Sequence, residues 1–472
     1  MHSTENEEGE PAIRYLRLTI AILFGRFVGW LSRLGGHGGS SLPGKLALRW
    51  HPHLLQELRQ RAVHGTVLVT GTNGKTTTTA MARSILTRHA WSVINNHNGA
   101  NLIAGLATAF MGQGRILGRA DLALLEVDEA TMPRASAELK PRMIVVTNVF
   151  RDQLDRYGEL STTLRFIQRA VEDMAEDGQL VLNADDPQVA YLGRDRPHVV
   201  YFGLEADGNV GSDPGRTAYD ASDSTRCPRC GHPLEYFTRF YAHLGHYRCG
   251  ACGHERPQPT IRVAQDKAGT ITLMGDFGWV PIDMPIPGLY NLYNLAAAAA
   301  LTLTLGVHVD LVPAAIVSMV PAFGRMESIV AENGTVLRLA LVKNPVGFNQ
   351  VLDTMVQSPE GNHALVVIND RYADGRDVSW LWDVNFESEL LQRKIGRWWV
   401  SGIRAWDMAV RLKYAGIEPS KIVVLASAKA ALDAALAESR DCTLYVMPTY
   451  TALLEVRDLL TRRGLVKHFR EG

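Results

Sequence analysis

The stretch TVLVTGTNGKTTT, residues 66–78, decides the fold of this chain. It joins an apolar strand to a glycine-containing loop, and a helical pattern follows the loop directly. The backbone N–H groups of such a loop bind phosphate, and the start of the following helix adds a partial positive charge. A lysine in the loop reaches the outer phosphates, and a threonine after it can ligate magnesium. We therefore expect a nucleotide to bind through Gly71, Thr72, Asn73, Gly74, Lys75, Thr76 and Thr77.

Apolar strands alternate with amphipathic helices around this stretch, which predicts an α/β fold with a parallel sheet covered on both faces. The strand candidates that continue the first pattern lie at residues 122–126, 143–147, 180–182, 199–203 and 260–273. A second α/β pattern starts near Gly334, with strand candidates at residues 364–368, 397–401, 422–425 and 443–447. The sequence thus predicts an N-terminal helical segment over residues 1–50, a central ATP-binding domain over 51–325 and a C-terminal α/β domain over 330–472.

Composition and charge narrow the function classes. The 472 residues contain 49 lysines and arginines against 49 aspartates and glutamates, so the net charge is zero and no nucleic-acid binder is indicated. The acidic start MHSTENEEGE lacks the basic region of a signal peptide, so a cytoplasmic protein is expected. The apolar run within residues 15–34, YLRLTIAILFGRFVGWLSRL, is interrupted by arginines and is too short to span a bilayer. This segment predicts either an amphipathic helix packed on the protein body or an interfacial helix at the inner face of the membrane.

The cysteines form a second strong pattern. Four of the five lie in two matched C-x-x-C-G pairs within residues 223–257, and Cys442 stands alone. Four thiolates at such spacing form a closed tetrahedral zinc site, which stabilises a small inserted ribbon. A redox role is the alternative, but it would not need two matched pairs. The nearby histidines, His243 among them, are expected at the surface. The predicted zinc ligands are Cys227, Cys230, Cys249 and Cys252.

Further motifs follow the phosphate loop in an order that resembles the Mur ligases and folylpolyglutamate synthetase. They are LLEVDE at 124–129, TNVFRDQLDRYG at 147–158, NADDP at 183–187, NLYNLA at 291–296 and GRME at 324–327. The resemblance implies that Glu126 binds magnesium together with Thr76 and acts in catalysis. It also implies that Asn294 contacts the adenine edge and that Arg325 reaches the ATP phosphates. Gln153 replaces a histidine that helps to hold a second magnesium in the family, so a second metal site is expected to be missing or built differently.

The C-terminal blocks KNPVGFN at 343–349 and ADGRDVSWLWDVNFE at 373–387 resemble those of the MurT family, the amidating branch of the Mur ligases. Membership implies ATP-dependent amidation of the D-glutamate α-carboxylate of lipid II to D-isoglutamine, through an acyl phosphate. It also implies a GatD-type glutaminase partner that supplies ammonia. In that pairing an acid of this chain assists the partner's catalytic histidine, and Asp383 is the first candidate and Asp377 the second.

Other functions remain open at this point. An amino-acid-adding Mur ligase or an enzyme like folylpolyglutamate synthetase would share the motifs up to Arg325 and differ in its last domain. A non-catalytic scaffold that binds nucleotide and zinc is the alternative outside the enzymes, and the joint presence of Lys75, Thr76 and Glu126 argues against it. For the C-terminal acids, a helix-capping role or an ion pair with Arg376 is the structural alternative.

Overall fold

The computed structural model describes residues 9–34, 41–96, 100–112, 118–152, 160–206, 223–320, 323–358, 362–440 and 442–466. These residues form a nine-stranded sheet, a six-stranded sheet and a two-stranded ribbon. The first eleven strands are β1 (Thr66–Thr70), β2 (Val93–Ile94), β3 (Leu122–Glu126), β4 (Met143–Val146), β5 (Gln179–Asn183), β6 (Val199–Leu204), β7 (Glu235–Tyr241), β8 (Leu244–Arg248), β9 (Ile261–Gln265), β10 (Ile271–Gly275) and β11 (Gly278–Ile282).

The nine-stranded sheet has the order β11-β10-β9-β6-β5-β4-β1-β3-β2. The seven strands from β2 across to β9 run parallel to their neighbours, and β9, β10 and β11 pair antiparallel at the far edge. The strands β1, β3 and β4 are buried along their whole length, as a parallel sheet with two covered faces requires. The β7–β8 ribbon lies between β6 and β9 in the chain.

The segment 260–273, expected as one strand, forms the two antiparallel strands β9 and β10 instead. A turn interrupts it because the Asp266 side chain accepts hydrogen bonds from the backbone N–H groups of Ala268 (2.9 Å) and Thr270 (2.8 Å). Gly269 sits in this turn at a φ of 91°, which glycine adopts without steric cost. The sequence contains the residues of this turn, but the apolar residues on both sides of the turn favour a single strand.

Helices cover both faces of this sheet. Val67 and Val69 of β1 belong to one core cluster and Leu68 to the other, since successive strand side chains point to opposite faces. The helices of this half are α1 (Gly9–Leu34), α2 (Leu42–Trp50), α3 (Leu54–Leu58), α4 (Lys75–Arg88), α5 (Ile103–Gly112), α6 (Met132–Leu139), α7 (Leu160–Glu172), α8 (Pro187–Tyr191), α9 (Leu289–Thr304) and α10 (Leu311–Val317).

The N-terminal helices α1 and α2 pack on α5 through glycines. A Cβ atom at Gly44 would lie 1.9 Å from the carbonyl oxygen of Ala104, and one at Gly25 would lie 2.6 Å from the Met111 sulfur. The absence of these side chains allows the close approach. Among the described residues no helix is both long enough and apolar enough to cross a membrane.

The six-stranded sheet has the order β12-β13-β17-β14-β15-β16 and is parallel except for the β12–β13 pair. Its strands are β12 (Arg325–Val330), β13 (Val336–Ala340), β14 (Asn362–Val367), β15 (Ile395–Ser401), β16 (Ile422–Val424) and β17 (Thr443–Pro448). The accompanying helices are α11 (Pro345–Gln357), α12 (Glu389–Lys394), α13 (Ala405–Tyr414), α14 (Ala428–Glu438) and α15 (Tyr450–Arg462).

The strand β12 marks where the chain passes from the first sheet to the second. Because β12 starts at Arg325 and pairs with β13, Arg325 belongs to the second sheet and the break between the sheets precedes it. Gly324, at a φ of 64°, provides the turn before the strand. The local sequence pattern does not show that the chain passes from one sheet to the other at this point.

Candidate active site

The loop between β1 and α4 has a backbone that only glycine allows at two points. Gly71 has a φ of 122° and Gly74 a φ of 89°. A Cβ atom at Gly71 would lie 2.3 Å from the Thr147 hydroxyl, and one at Gly74 would lie 2.2 Å from the Asn294 side-chain oxygen. The loop therefore passes close to β4 and α9 and ends at the start of a 14-residue helix. Such an arrangement directs backbone N–H groups toward an anion.

The residues after β4 hold this loop in place. The Asn73 N–H donates to the Asn148 side-chain oxygen (2.9 Å), and the Thr147 hydroxyl donates to the Asn73 carbonyl (2.7 Å). The Thr72 N–H donates to the Asn148 carbonyl (2.9 Å). These bonds hold the backbone of the loop against the segment after β4. Asn148 lies in the motif at residues 147–158, but only the folded structure shows that it contacts the phosphate loop.

Lys75 is buried, with only 8% of its surface exposed. Its ammonium lies 3.0 Å from a Glu129 carboxylate oxygen and donates to the Gly71 carbonyl (2.5 Å). Burial by itself lowers the pKa of Lys75, but the neighbouring acids, Glu129 first, raise it by more, and the net pKa lies above its usual value. Lys75 therefore neutralises a buried carboxylate, in addition to the role at the phosphates that the sequence predicts for it.

Thr76 and Glu126 meet beside the loop. The Thr76 hydroxyl donates to the Glu126 carboxylate (2.8 Å) at the end of β3. The Glu126 backbone is held on both sides by Asn96, which accepts from its N–H (2.9 Å) and donates to its carbonyl (2.8 Å). A hydroxyl and a carboxylate at a phosphate loop are the oxygen donors that magnesium prefers. These two residues fit a magnesium ion, and Asn96, which the sequence did not indicate, positions one of them.

A cleft of about 670 Å³, including its open mouth, separates the phosphate loop from the second sheet. Arg325 lines it, and burial lowers the pKa of its guanidinium although Glu126 and other acids oppose the change. The residues around the cleft come from both halves of the chain. They include Asn73, Gly74, Thr77, Asn148, Tyr241, Tyr290, Asn294, Arg325, Lys343, Asn344 and Gln350.

Asn294 lies at the inner end of this cleft, next to the loop. Its side-chain oxygen accepts from the Thr78 hydroxyl (3.3 Å), and its amide donates to the Asn291 side chain (3.0 Å). It is 3% exposed. The position is compatible with a nucleotide contact, but the observed bonds join α9 to α4. Its predicted role at the adenine edge stays a prediction.

Two residues before α11 connect the second sheet to the loop. The Lys343 ammonium forms an ion pair with Asp152, and the Asn344 amide donates to the Asn73 side-chain oxygen (3.1 Å). Asn344 also caps α11, accepting from the Gly347 N–H (2.8 Å). The second half of the chain thus closes directly on the phosphate loop. Gln153, on which the second metal site depends, lies outside the described residues.

Asp377 and Asp383 line a smaller pocket beside this contact, together with Arg151, Asp223 and Lys343. Asp383 ends a short 3-10 helix, Ser379–Asp383, and its carboxylate lies 3.8 Å from the Arg151 guanidinium. Asp377 accepts from the Ser379 N–H (2.8 Å) at the start of that helix. A capping bond is therefore present for Asp377, and the ion-pair partner of Asp383 is Arg151. Neither bond tests the predicted role of these acids toward a partner.

The four paired cysteines come together at the end of the ribbon. Their sulfur atoms all lie within 4.8 Å of one another, with Cys227 3.6 Å from Cys252 and Cys230 3.5 Å from Cys249. Each pair forms the same loop: the N–H groups of Cys227 and Cys249 donate to His232 and His254 carbonyls (both 2.7 Å). Four thiols in one such group are the donor set of a closed zinc site.

The opposite end of the ribbon packs into the part of the chain that carries the phosphate loop. We call residues 241–244, the turn between β7 and β8, the ribbon tip. Tyr241 lines the cleft, and its ring centroid lies 5.7 Å from that of Tyr293 on α9. His243 is fully buried, 3.4 Å from Asp186, so the expectation of a surface histidine was wrong. The reason is that the tip inserts between α9 and the segment after β4, where Phe150 also contacts it.

The aspartates of the NADDP motif anchor this insertion. The carboxylate of Asp185 accepts from the Tyr293 hydroxyl (2.8 Å) and from Arg256 beyond the ribbon, and its carbonyl accepts from the Gly245 N–H (2.9 Å). Asp186 caps α8, accepting from Gln188 and Val189. The NADDP motif resembles a nucleotide-binding element of the family. In the observed contacts it holds the ribbon in place and caps α8.

Comparison with known proteins agrees with this architecture. Residues 69–225 match the Mur ligase middle domain, and residues 341–453 match the MurT ligase C-terminal domain. Solved structures with the same fold include a pseudomurein peptide ligase type C from Methanothermus fervidus (TM-score 0.67, 22% identity, covering 86% of this chain and 80% of that one). Another is the MurF ligase from Thermotoga maritima in complex with ADP (TM-score 0.61, 14% identity, covering 89% and 84%).

Two relatives are similar over nearly their whole length. The MurT subunit of the glutamine-hydrolyzing lipid II isoglutaminyl synthase of Streptococcus pneumoniae is 35% identical over 461 residues, which cover 96% of this chain and 99% of that protein. The corresponding subunit of Staphylococcus aureus is 32% identical over 448 residues, covering 95% and 98%. With a phosphate loop, a facing second sheet and this degree of identity, the chain belongs to the MurT family of ATP-dependent Mur-type ligases.

Proposed function

We propose that this chain is the synthase subunit that amidates the D-glutamate α-carboxylate of lipid II to D-isoglutamine. The observation that carries the proposal is the arrangement around the cleft. Thr76 and Glu126 stand at the phosphate loop, and Arg325 and Lys343 of the C-terminal half face it. The substrate follows from the MurT relatives, whose names state lipid II isoglutaminyl synthase.

The reaction has two steps. The γ-phosphoryl group of ATP transfers to a carboxylate oxygen, and ADP leaves. The nitrogen of ammonia then attacks the carbonyl carbon, the bond from that carbon to the phosphate oxygen breaks, and the nitrogen loses a proton. The acyl phosphate is needed because a free carboxylate is a poor electrophile.

Charge neutralisation is the main contribution that we assign to this chain's residues. The N–H groups at the start of α4, together with Lys75 and Arg325, face the region where phosphate charge develops. The Lys75 ammonium donates to the Gly71 and Thr72 carbonyls and to Glu129, so binding a phosphate oxygen requires it to give up one of these bonds, the longest being that to Thr72 (3.4 Å). Thr76 and Glu126 would hold a magnesium ion, which supplies further positive charge to the phosphates when bound.

The cysteine cluster receives a structural role in this proposal. Zinc bound by Cys227, Cys230, Cys249 and Cys252 would leave no open coordination position, so it would stabilise the ribbon and not take part in the reaction. We also propose that the two sheets form two domains, divided just before Arg325, and that the protein works in the cytoplasm, where a lipid-linked substrate places the reaction at the membrane surface.

Ammonia is proposed to come from a GatD-type glutaminase. The relatives are named as subunits of a glutamine-hydrolyzing enzyme. On this chain, α13 exposes an aromatic face, with Trp406 72% and Tyr414 74% exposed, and the Tyr414 ring lies 5.9 Å from Trp382. Exposed apolar patches of this kind are typical of protein interfaces. Asp383 follows Trp382 directly in the chain and lines the smaller pocket with Arg151 and Lys343.

Asp383→Asn should lower glutamine-dependent amidation by about 10²-fold or more and leave ammonium-dependent amidation nearly unchanged, if this acid orients the partner's histidine. The measurement compares the two nitrogen sources on the same protein preparation. Asp377→Asn is the matched variant, because it changes an acid of the same pocket that caps the 3-10 helix. Equal loss with both sources would place Asp383 in the ligase or in the fold, where Arg151 is its partner.

The proposed function is tested by incubating the chain and its co-purified partner with lipid II, ATP, magnesium and glutamine. We expect ADP release and the mass change of a carboxylate converted to an amide. ADP release driven by an amino acid but not by ammonia would indicate an amino-acid-adding ligase. No ATP turnover with the partner present would favour the scaffold.

A further inference from the structure

The first helix carries apolar side chains on its outer face as well as its inner one. Its inner face is buried, with Ala21 and Ile22 inaccessible and Gly25 against Met111. Its outer face follows the spacing i, i+3, i+4, i+7, so the side chains form one continuous stripe. The stripe consists of Ile20 (43% exposed), Leu23 (46%), Phe24 (42%), Phe27 (55%), Trp30 (53%) and Leu31 (46%).

The second helix extends this surface. Leu42 and Trp50, at the two ends of α2, are 47% and 55% exposed. The close packing of Gly44 on Ala104 fixes α2 against α5. Helices held this tightly present a defined surface. A monomeric soluble protein rarely leaves so large an apolar patch uncovered.

Along residues 17–50, which contain the patch, the ionised side chains have one sign, and the acidic residues of the N-terminus, up to Glu10, precede this span. Between Arg17 and Trp50 the sequence contains no aspartate or glutamate. The side chains of Arg17, Lys45 and Arg49 are exposed. Aromatic and aliphatic side chains surrounded by basic ones are typical of helices that lie in the interface of an anionic bilayer. The face of α13 differs, since Asp383 and Asp407 lie near its exposed tryptophans.

One helix of the patch packs close to the segment that precedes α5, since Gly44 of α2 lies against Ala104 in the first turn of α5. α5, on which α2 packs, starts directly after the loop that holds Glu126 and its neighbours. In that loop the Asn96 amide donates to both the Ala100 and Glu126 carbonyls, and the Asp128 N–H donates to Asn101. Leu102, 46% exposed, connects this loop to α5. The α2 side of the patch is thus connected through α5 to the segment that holds Glu126.

We propose that the outer faces of α1 and α2 form a docking surface for an anionic lipid bilayer. The surface inserts the α1 stripe and Trp50 at the level of the lipid headgroups, and the flanking cations contact anionic lipids. The inference rests on the proposed lipid-linked substrate, and it adds the element that brings the enzyme to it. The positive charge along residues 17–50 favours an anionic lipid surface over a protein partner or a second copy of the chain.

The test is flotation of the full-length chain, with its partner where one co-purifies, on vesicles of phosphatidylcholine with and without phosphatidylglycerol. We expect binding to the anionic vesicles and weaker binding to phosphatidylcholine alone. The double variant Phe27→Glu with Trp30→Glu should lower the partition into anionic vesicles by about tenfold or more. Trp279→Glu is the matched control, because Trp279 is 79% exposed at the edge strand β11, and it should bind as the unchanged protein does.

Each result decides the proposal. Absence of flotation of the unchanged protein, or undiminished flotation of the double variant, would overturn it. So would loss of the partner or of a dimer from the double variant in size-exclusion chromatography, because that would identify a protein interface. Amidation of a water-soluble substrate without the lipid should be the same for the double variant and the unchanged protein. Flotation without any amidation would instead reject the proposed function and leave the lipid surface standing.

Discussion

Lys75→Ala should lower ATP-dependent amidation by at least about 10²- to 10³-fold, because it removes a positive charge from the phosphate loop. The structure adds a second expected effect. The carboxylate of Glu129 would lose its 3.0 Å partner inside the protein, and breaking a buried ion pair costs about 3–5 kcal/mol of stability. Thermal unfolding should therefore show a lower midpoint, alongside the loss of ADP release measured with the partner present.

A double variant separates the two effects. Lys75→Met combined with Glu129→Gln removes both charges and keeps similar volumes, so the stability should recover most of the loss. Amidation should not recover, since the charge facing the phosphates is still missing. Near-normal activity of Lys75→Ala would reject the phosphate-loop assignment. Recovery of activity in the double variant would make Lys75 a structural residue only.

Cys227→Ser should abolish metal binding and unfold the ribbon. The unchanged protein, purified without chelators, should contain about one zinc per chain, and the variant close to none. Structural zinc contributes a large part of the folding free energy of small ribbons, so the thermal midpoint should fall strongly. Nucleotide affinity, measured with a fluorescent ATP analogue, should also decrease, because Tyr241 at the ribbon tip lines the cleft.

Cys442→Ser is the control for this variant. Cys442 is partly exposed and lies outside the cluster, so its replacement should change neither zinc content nor stability appreciably. Elemental analysis that finds no zinc in the unchanged protein would reject the zinc ribbon. A zinc-containing Cys227→Ser variant of normal stability would show that this cysteine is not a ligand.

The family, the α/β class and the strand before the phosphate loop could be predicted from the sequence, because they depend on local patterns. A strand such as β3 is apolar up to its last residue, Glu126, and two glycines three residues apart before a lysine are typical of a phosphate-binding loop. The cysteine pairs are predictable for the same reason, since ligand chemistry fixes their spacing. The structure places all four sulfurs together.

Local sequence patterns do not predict which residues that are distant in the chain pair in the fold. Nothing near Glu129 in the sequence shows that it pairs with Lys75, since the two are distant in the chain and meet only when β3 lies beside β1. Asn96 is a similar case, because its hold on Glu126 depends on β2 joining the edge of the sheet. The pairing of Arg325 with β13 is a further case, because antiparallel pairing of these two strands has no local signal.

The insertion of the ribbon tip has a consequence for how the protein is made. β6 and β9 are neighbours in the sheet, and the chain between them leaves to form the ribbon and returns. Tyr241 and His243 complete the packing around α9 and Phe150. The part of the chain that carries the phosphate loop is therefore not fully packed until the ribbon has folded. With zinc in the cysteine cluster, as proposed, metal supply becomes a checkpoint in maturation. A cell short of zinc would accumulate newly synthesised chains whose ribbon tip had not formed and whose cleft lacked the Tyr241 side chain.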